Sequence, residues 1–292
     1  MISYDSRDWF RALALHRSDT FRKLLPLMAF VGLLTWVIGY IETEHLRLSK
    51  ADYVSNLPMM HSLLGFAISM LLVFRTNTGY DRWWEARKLW GQLVNVSRNT
   101  AIKLNAMLPA DAEHERAQFV TLLARFAKEL RVHLLSEKTR LALDEGPHPE
   151  LEGLDRSKHV PAQLAAMMHG RAHRAYRAGM LSGEQLLGLT PDLTVFMDIC
   201  GACERIKNTP IPYSYSTFIK KFIVVYTLTL PFGFVFSLGY IAVPVVVFVF
   251  YVLASLEIIA EEIEDPFGLD ANDLPLDRLA TMIGANAAEL LA

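Results

Sequence analysis

The stretch from Phe222 to Leu256 carries no charged residue, and it is too long for one membrane crossing. A helix rises about 1.5 Å per residue, so about 20 apolar residues cross a bilayer core. Break signals lie near the middle of the stretch, at Ser237, Gly239 and Pro244. They suit a tight turn between antiparallel spans at about 216–236 and 241–261. Two further uncharged stretches, Leu24–Ile41 and Leu57–Phe74, lie near the N-terminus, with Trp36 and Tyr40 placed as interface anchors and His61 as the one interruption. Neither reads as a signal peptide: the segment before the first is too long and mixed in charge, and no small-residue cleavage site follows it. The pattern predicts an all-α membrane protein with four spans, at about 24–41, 57–74, 216–236 and 241–261.

Between spans two and three, at about 75–215, apolar residues recur at helical spacing and no strand alternation appears. Arg82–Met107 continues span two, with Trp83, Leu89, Trp90, Leu93 and Val94 on its apolar side. Pro109, Ala110 and Asp111 form a break with an N-cap candidate, and Ala112–Ser136 follows as an amphipathic helix carrying Phe119, Leu122, Leu123, Phe126, Leu130 and Leu134. Asp144–Lys158 is rich in Gly, Pro and charge and reads as a loop. Pro161–Arg177 and Ser182–Ile206 read as two more helices, which Pro210 and Pro212 end. Residues 262–292 read as an acidic C-terminal segment.

Charge refines this picture. Hydrophobic residues make up 52% of the chain and charged residues 21%, so the charge concentrates in the polar middle. With 29 basic against 31 acidic residues, no global field points to nucleic acid. Basic residues flank the spans at Arg11, Arg17, Arg22 and Lys23, at Arg75, Arg82, Arg87 and Lys88, and at Lys207, Lys220 and Lys221, whereas the loop Glu42–Asn56 mixes both signs. Positive residues stay inside, so both termini and the middle region are expected in the cytoplasm. Cys200 and Cys203 imply no disulfide framework, and on a helix they read as small packing residues, not a redox pair. His169 and His173 share a helix face without a third ligand nearby and read as surface histidines. No P-loop, dinucleotide turn or HExxH occurs, so the chain reads as no enzyme.

Three segments then carry a resemblance. Tyr80-Asp81-Arg82-Trp83-Trp84-Glu85-Ala86-Arg87-Lys88-Leu89-Trp90-Gly91 follows span two, Glu204-Arg205-Ile206-Lys207-Asn208-Thr209-Pro210-Ile211-Pro212 precedes span three, and Asp265-Pro266-Phe267-Gly268 follows span four. In order and spacing they resemble the signature of the bestrophin family in its bacterial branch, over most of the chain. The resemblance implies a homopentamer in the bacterial inner membrane with one axial pore for small monovalent ions. Its narrow neck would be lined by span two. Chloride is the family's best-known passenger, and a monovalent cation such as sodium is the alternative.

Phe66, Met70 and Phe74 stand at i, i+4 and i+8 on one helix face and match the family's three neck positions. Five copies would stack three apolar rings, which conduct when wetted and close by dewetting. The plainer reading is a helix-packing stripe, with Ser62, Gly65, Ala67 and Ser69 beside it for close backbone approach. Arg75, directly after Phe74, is the candidate pore mouth, unless it pairs with Glu261, Glu264 or Asp265. Arg82 and Arg87 are expected to pair with acids of the C-terminal segment. Glu257, Glu261, Glu262, Glu264 and Asp265 crowd the end of span four, where the helix dipole disfavours negative charge, so guanidinium groups or a cation should compensate them. A lower aperture is expected at Glu184, Gln185, Leu186 and Leu187. No cofactor is required. The resemblance to eukaryotic members implies a calcium site at Glu262, Asp265, Asp270 and Asp273, against a structural turn; where their acidic run continues, this chain has Leu269-Asp270-Ala271-Asn272-Asp273. Two other classes stay open: a membrane scaffold docking partners on its helical lobe, and a membrane-embedded metal enzyme using Asp270, Asn272, Asp273 and Asp277.

Overall fold

The computed structural model describes residues 19–46, 56–135 and 154–291. Arg11, Arg17, the bulk of the loop between spans one and two, Ser136 and most of the Asp144–Lys158 loop lie outside the described residues. Among the described residues there are eight α-helices and no strand: α1 Asp19–Ile41, α2 Leu57–Met107, α3 Glu113–Leu134, α4 Val160–Arg177, α5 Gly183–Asn208, α6 Tyr213–Leu238, α7 Ala242–Glu264 and α8 Leu276–Leu291. A π-helical turn, Glu42–Leu46, follows α1, and a 3-10 turn, Gly239–Ile241, separates α6 from α7. The chain divides into two compact units. One runs to Asp81 and resumes over Pro210–Glu264; the other comprises Arg82–Thr209 and Asp265–Ala292.

The first unit holds the apolar helices and is the membrane unit. Leu24, Val31, Ile68, Leu72, Ile219, Ile223, Leu230, Val246 and Phe250 form its core, where α1, α6 and α7 pack against one another. The turn between the last two spans is made at Gly239, whose φ of 58° suits a residue without a Cβ. Pro244 lies instead in the first turn of α7, where a missing N–H costs no hydrogen bond. Gly79 lets α2 meet α7 closely: a Cβ there would lie 3.1 Å from the Ala260 carbonyl.

The second unit is a polar-surfaced helical bundle. Trp90, Leu93, Leu104, Phe119, Leu123, Phe126, Leu130, Phe196, Phe267 and Ile283 fill its core, with Phe126 and Phe196 edge to face at 5.1 Å. α5 is also long and apolar enough to cross a membrane. Its apolar positions Leu189, Leu193, Phe196, Ile199 and Ile206 are consumed by this core, so no fifth span is needed. Cys200 and Cys203 are buried beside them as packing residues.

Two expectations are corrected here. The N-cap of α3 is Ala112, which makes no side-chain cap bond. The turn is closed instead by Arg116, whose guanidinium reaches Asn105 and donates to the carbonyls of Leu108 (3.1 Å) and Pro109 (3.3 Å) at the end of α2. The C-terminal segment is no mere acidic tail: α8 buries Leu276, Ala280, Ile283, Ala287 and Leu291 and packs along α3. Arg131 on α3 pairs with Asp277 of α8 at 2.9 Å.

Candidate pore helix and its anchors

Within the membrane unit, α2 has two faces. Ile68, Leu72 and Arg75 are 0%, 2% and 1% exposed, whereas Phe66, Met70 and Phe74 are 68%, 43% and 57% exposed. The stripe read from the sequence therefore takes no part in the subunit's own packing. Ser62 and Ser69 flank it with their hydroxyls donated to the carbonyls of Pro58 (2.9 Å) and Gly65 (2.7 Å), which leaves these side chains no strong call on water. Gly65 faces the other way, towards Tyr226 of α6.

Of the two placements open for Arg75, the structure shows the paired one. Its side chain lies on the packed face, with Nη1 2.7 Å from Glu264 Oε2 and Nε 3.6 Å from Glu257 Oε2. Helical geometry explains this: Arg75 lies one residue beyond Phe74, about 100° around the helix, and seven beyond the buried Ile68. The acid-rich end of α7 is thereby compensated from within the unit. Arg75 serves Glu257 and Glu264, Lys23 lies 3.5 Å from Glu262, and Lys220 holds Glu261 at 2.9 Å. Glu264 also accepts the Ile211 N–H at 2.8 Å, fixing the entry to α6.

The signature residues act as fasteners of the helical unit. Arg82 donates Nη1 to the Thr209 carbonyl (2.5 Å) and Nη2 to that of Ile206 (2.6 Å), so one fork caps the end of α5. Arg87 is exposed and makes no ion pair among the described residues; it borders a 430 Å³ groove with Trp84, Lys88 and Asn95. Trp83 donates Nε1–H to the Asn272 carbonyl at 3.0 Å, holding the Asp265–Asp273 loop. In that loop Phe267 is fully buried, and Asp273 accepts the Asp270 N–H at 2.5 Å.

Glu262 belongs to the membrane unit; Asp265, Asp270 and Asp273 belong to the other. Among the described residues their carboxylates form no metal-holding cluster. The expected aperture residues occupy the first turns of α5, where Ser182 and Gln185 form a capping box and Ser182 donates to Glu184 at 2.8 Å. A backbone N–H at the helix start, and then the Ser182 bond, hold the Glu184 carboxyl below its ordinary range. Leu187 is 74% exposed and is the bulky apolar side chain presented there, while Leu186 packs on the core.

Sequence reading missed one cluster in the helical unit. His133 Nε2 and His159 Nε2 each lie 2.6 Å from Glu204 Oε1. Burial holds the His133 imidazole below its ordinary value against the raising effect of Glu204. Burial also pushes the Glu204 carboxyl up, but the hydrogen bonds from His159 and His133 leave it below the ordinary carboxylate range. The three residues are far apart in sequence, so no spacing announces them. By contrast His169 and His173 only share a backbone bond, His173 Nδ1 to the His169 carbonyl at 3.0 Å.

A unit of apolar helices, with an apolar stripe on α2 that its own packing leaves unused, suits a channel-type membrane protein. The comparisons give the family. The Bacterial/Fungal Bestrophin protein family matches residues 1–289. A voltage-dependent anion channel-forming protein of Ralstonia nicotianae is 33% identical over 286 residues, covering 97% of this chain and 92% of its own. A protein of the same description from Synechocystis sp. is 34% identical, covering 92% and 86%. YneE of Escherichia coli, also described as a voltage-dependent anion channel-forming protein, is 36% identical, covering 76% and 73%. A crystal structure of a bacterial bestrophin homolog from Klebsiella pneumoniae superposes with a TM-score of 0.80 at 27% identity, covering 92% of this chain and 99% of that one. The chain belongs to the bestrophin family, and thus to channel-forming proteins, not enzymes.

Proposed function

We propose that this chain is the subunit of a homopentameric anion channel whose neck is made of Phe66, Met70 and Phe74. The exposed stripe carries the reading: an apolar face that the subunit leaves unpacked, on a helix whose opposite face is buried, suits an axis-facing wall. The aromatic rings can turn their positive edges to a passing anion. The channel-forming relatives support anion passage. Leu187 is the candidate lower aperture, both termini face the cytoplasm of an inner membrane, and opening needs no calcium, which agrees with Lys23 on Glu262 and Asp273 on the loop backbone.

Arg75 favours a second reading. Because it is committed to Glu264, it adds no positive ring to the mouth, and the first exposed charge beyond Phe74 on the same side of α2 is Asp81. A ring of carboxylates there would favour a monovalent cation. The reversal potential of the purified protein in a sodium chloride gradient separates the two. A value near the chloride equilibrium potential supports the anion channel; one near the sodium potential transfers the assignment to the cation reading.

A further inference from the structure

The geometry points to a transition-metal site at His133, His159 and Glu204, three side chains carried by three different helices. His133 stands in the last turn of α3, His159 is the N-cap of α4, and Glu204 lies in α5. Their ligand atoms, two imidazole Nε2 and one carboxylate oxygen, all lie within 4.8 Å of one another. Two nitrogens and one oxygen suit zinc and its neighbours cobalt and nickel; calcium and magnesium require an all-oxygen shell.

An ordinary hydrogen-bonded histidine–glutamate cluster would look similar at first sight, but two features favour a metal. Both rings converge on the same oxygen atom of Glu204, so the carboxylate and two nitrogens point at one place. The side chains also stay 28%, 37% and 27% exposed, which leaves water access to a fourth, open position. The frame is braced. Lys207, three residues beyond Glu204, donates to the carbonyls of His133 (3.0 Å) and Leu135 (2.7 Å), tying the end of α3 to α5. Metal–ligand bonds of about 2.0–2.1 Å place tetrahedral neighbours ~3.3 Å apart. The 2.6 Å contacts must therefore open by ~0.7 Å, which partly exposed side chains allow.

One cost is visible. His159 Nδ1 accepts the Ala162 N–H at 3.1 Å, so its proton resides on Nε2 in this state. Ligation through Nε2 moves that proton to Nδ1 and ends the cap bond. A single N-cap is worth far less than a metal bond, and Pro161 keeps the first turn of α4 ordered. An occupied site would lock α3, α4 and α5 together.

The test uses the full-length protein in detergent, stripped with EDTA and titrated with cobalt(II) and then zinc. The expected result is about one ion per chain, tetrahedral cobalt absorption bands that zinc removes, and a raised Tm. His133→Gln and Glu204→Gln should each weaken binding by at least ~10-fold, as losing even an outer partner does. His169→Gln should change nothing. His159 is left intact because it caps a helix. No bound ion in the wild-type protein, or binding unaltered in both His133→Gln and Glu204→Gln, would overturn the site. The wild-type titration decides even if one variant folds poorly.

Discussion

Arg75 Nη1 lies 2.7 Å from Glu264 Oε2, and the guanidinium is almost wholly buried. The pair joins α2 to the acidic end of α7, and it keeps the Arg75 charge off the exposed face of α2.

Arg75→Ala is therefore expected to act on stability. It takes the guanidinium away from the buried Glu257 and from Glu264, a loss of about 3–5 kcal/mol. Thermal unfolding in detergent should show a large fall in Tm, and channels that still assemble should keep their reversal potential. A normally stable variant whose reversal potential moves toward cations would place Arg75 in the pore after all.

Arg82→Ala removes both donors from the end of α5, where hydrogen bonds from a charged group are worth about 1.5–3 kcal/mol each. Lysine has no planar fork, so Arg82→Lys should recover less than half of the loss. Trp83→Phe should cost ~1 kcal/mol through the Asn272 carbonyl. Denaturation midpoints of the three variants check this ranking; equal stability of Ala and wild type would refute the capping role.

Cys200 and Cys203 should be inert. Burial, helped by the charge of Glu204, pushes the Cys200 thiol up to about 12, and burial with the Cys200 neighbour pushes Cys203 higher still. Maleimide at pH 7–8 should label neither in the folded protein and both after denaturation. Rapid labelling of the native protein would contradict a packing role.

Assembly is checked by mass in mild detergent. The native particle should contain five copies of the 33.0 kDa chain, since one four-span subunit encloses no axial pore. A monomer or dimer would remove the pentameric axis on which the neck depends.

The spans were legible because lipid demands long uncharged helices, and Gly239 marked the hairpin because only one residue type turns there cheaply. The neck stripe was legible as a periodicity, though its sequence alone did not say whether it packs. For Arg75 the sequence left two placements open, pore mouth or a pair with an acid such as Glu264, because adjacency to Phe74 does not fix direction on a helix that turns by about 100° per residue. The fork of Arg82 on the Thr209 and Ile206 carbonyls was not legible, because backbone carbonyls carry no sequence signature. α8 hid behind its acidic surroundings although Leu276, Ala280, Ile283 and Ala287 keep helical spacing. His133, His159 and Glu204 were invisible because only the fold brings them together.

The central claim is that Phe66, Met70 and Phe74 form the constriction. Its most direct test is conductance in planar bilayers of the Phe66→Ala, Met70→Ala, Phe74→Ala triple variant beside wild type, under an asymmetric sodium chloride gradient. Removing the apolar bulk should keep the neck wet, so single-channel conductance should rise and the reversal potential should shift. An assembled triple variant with the conductance and reversal potential of wild type would make the stripe a packing or lipid surface and put the constriction elsewhere.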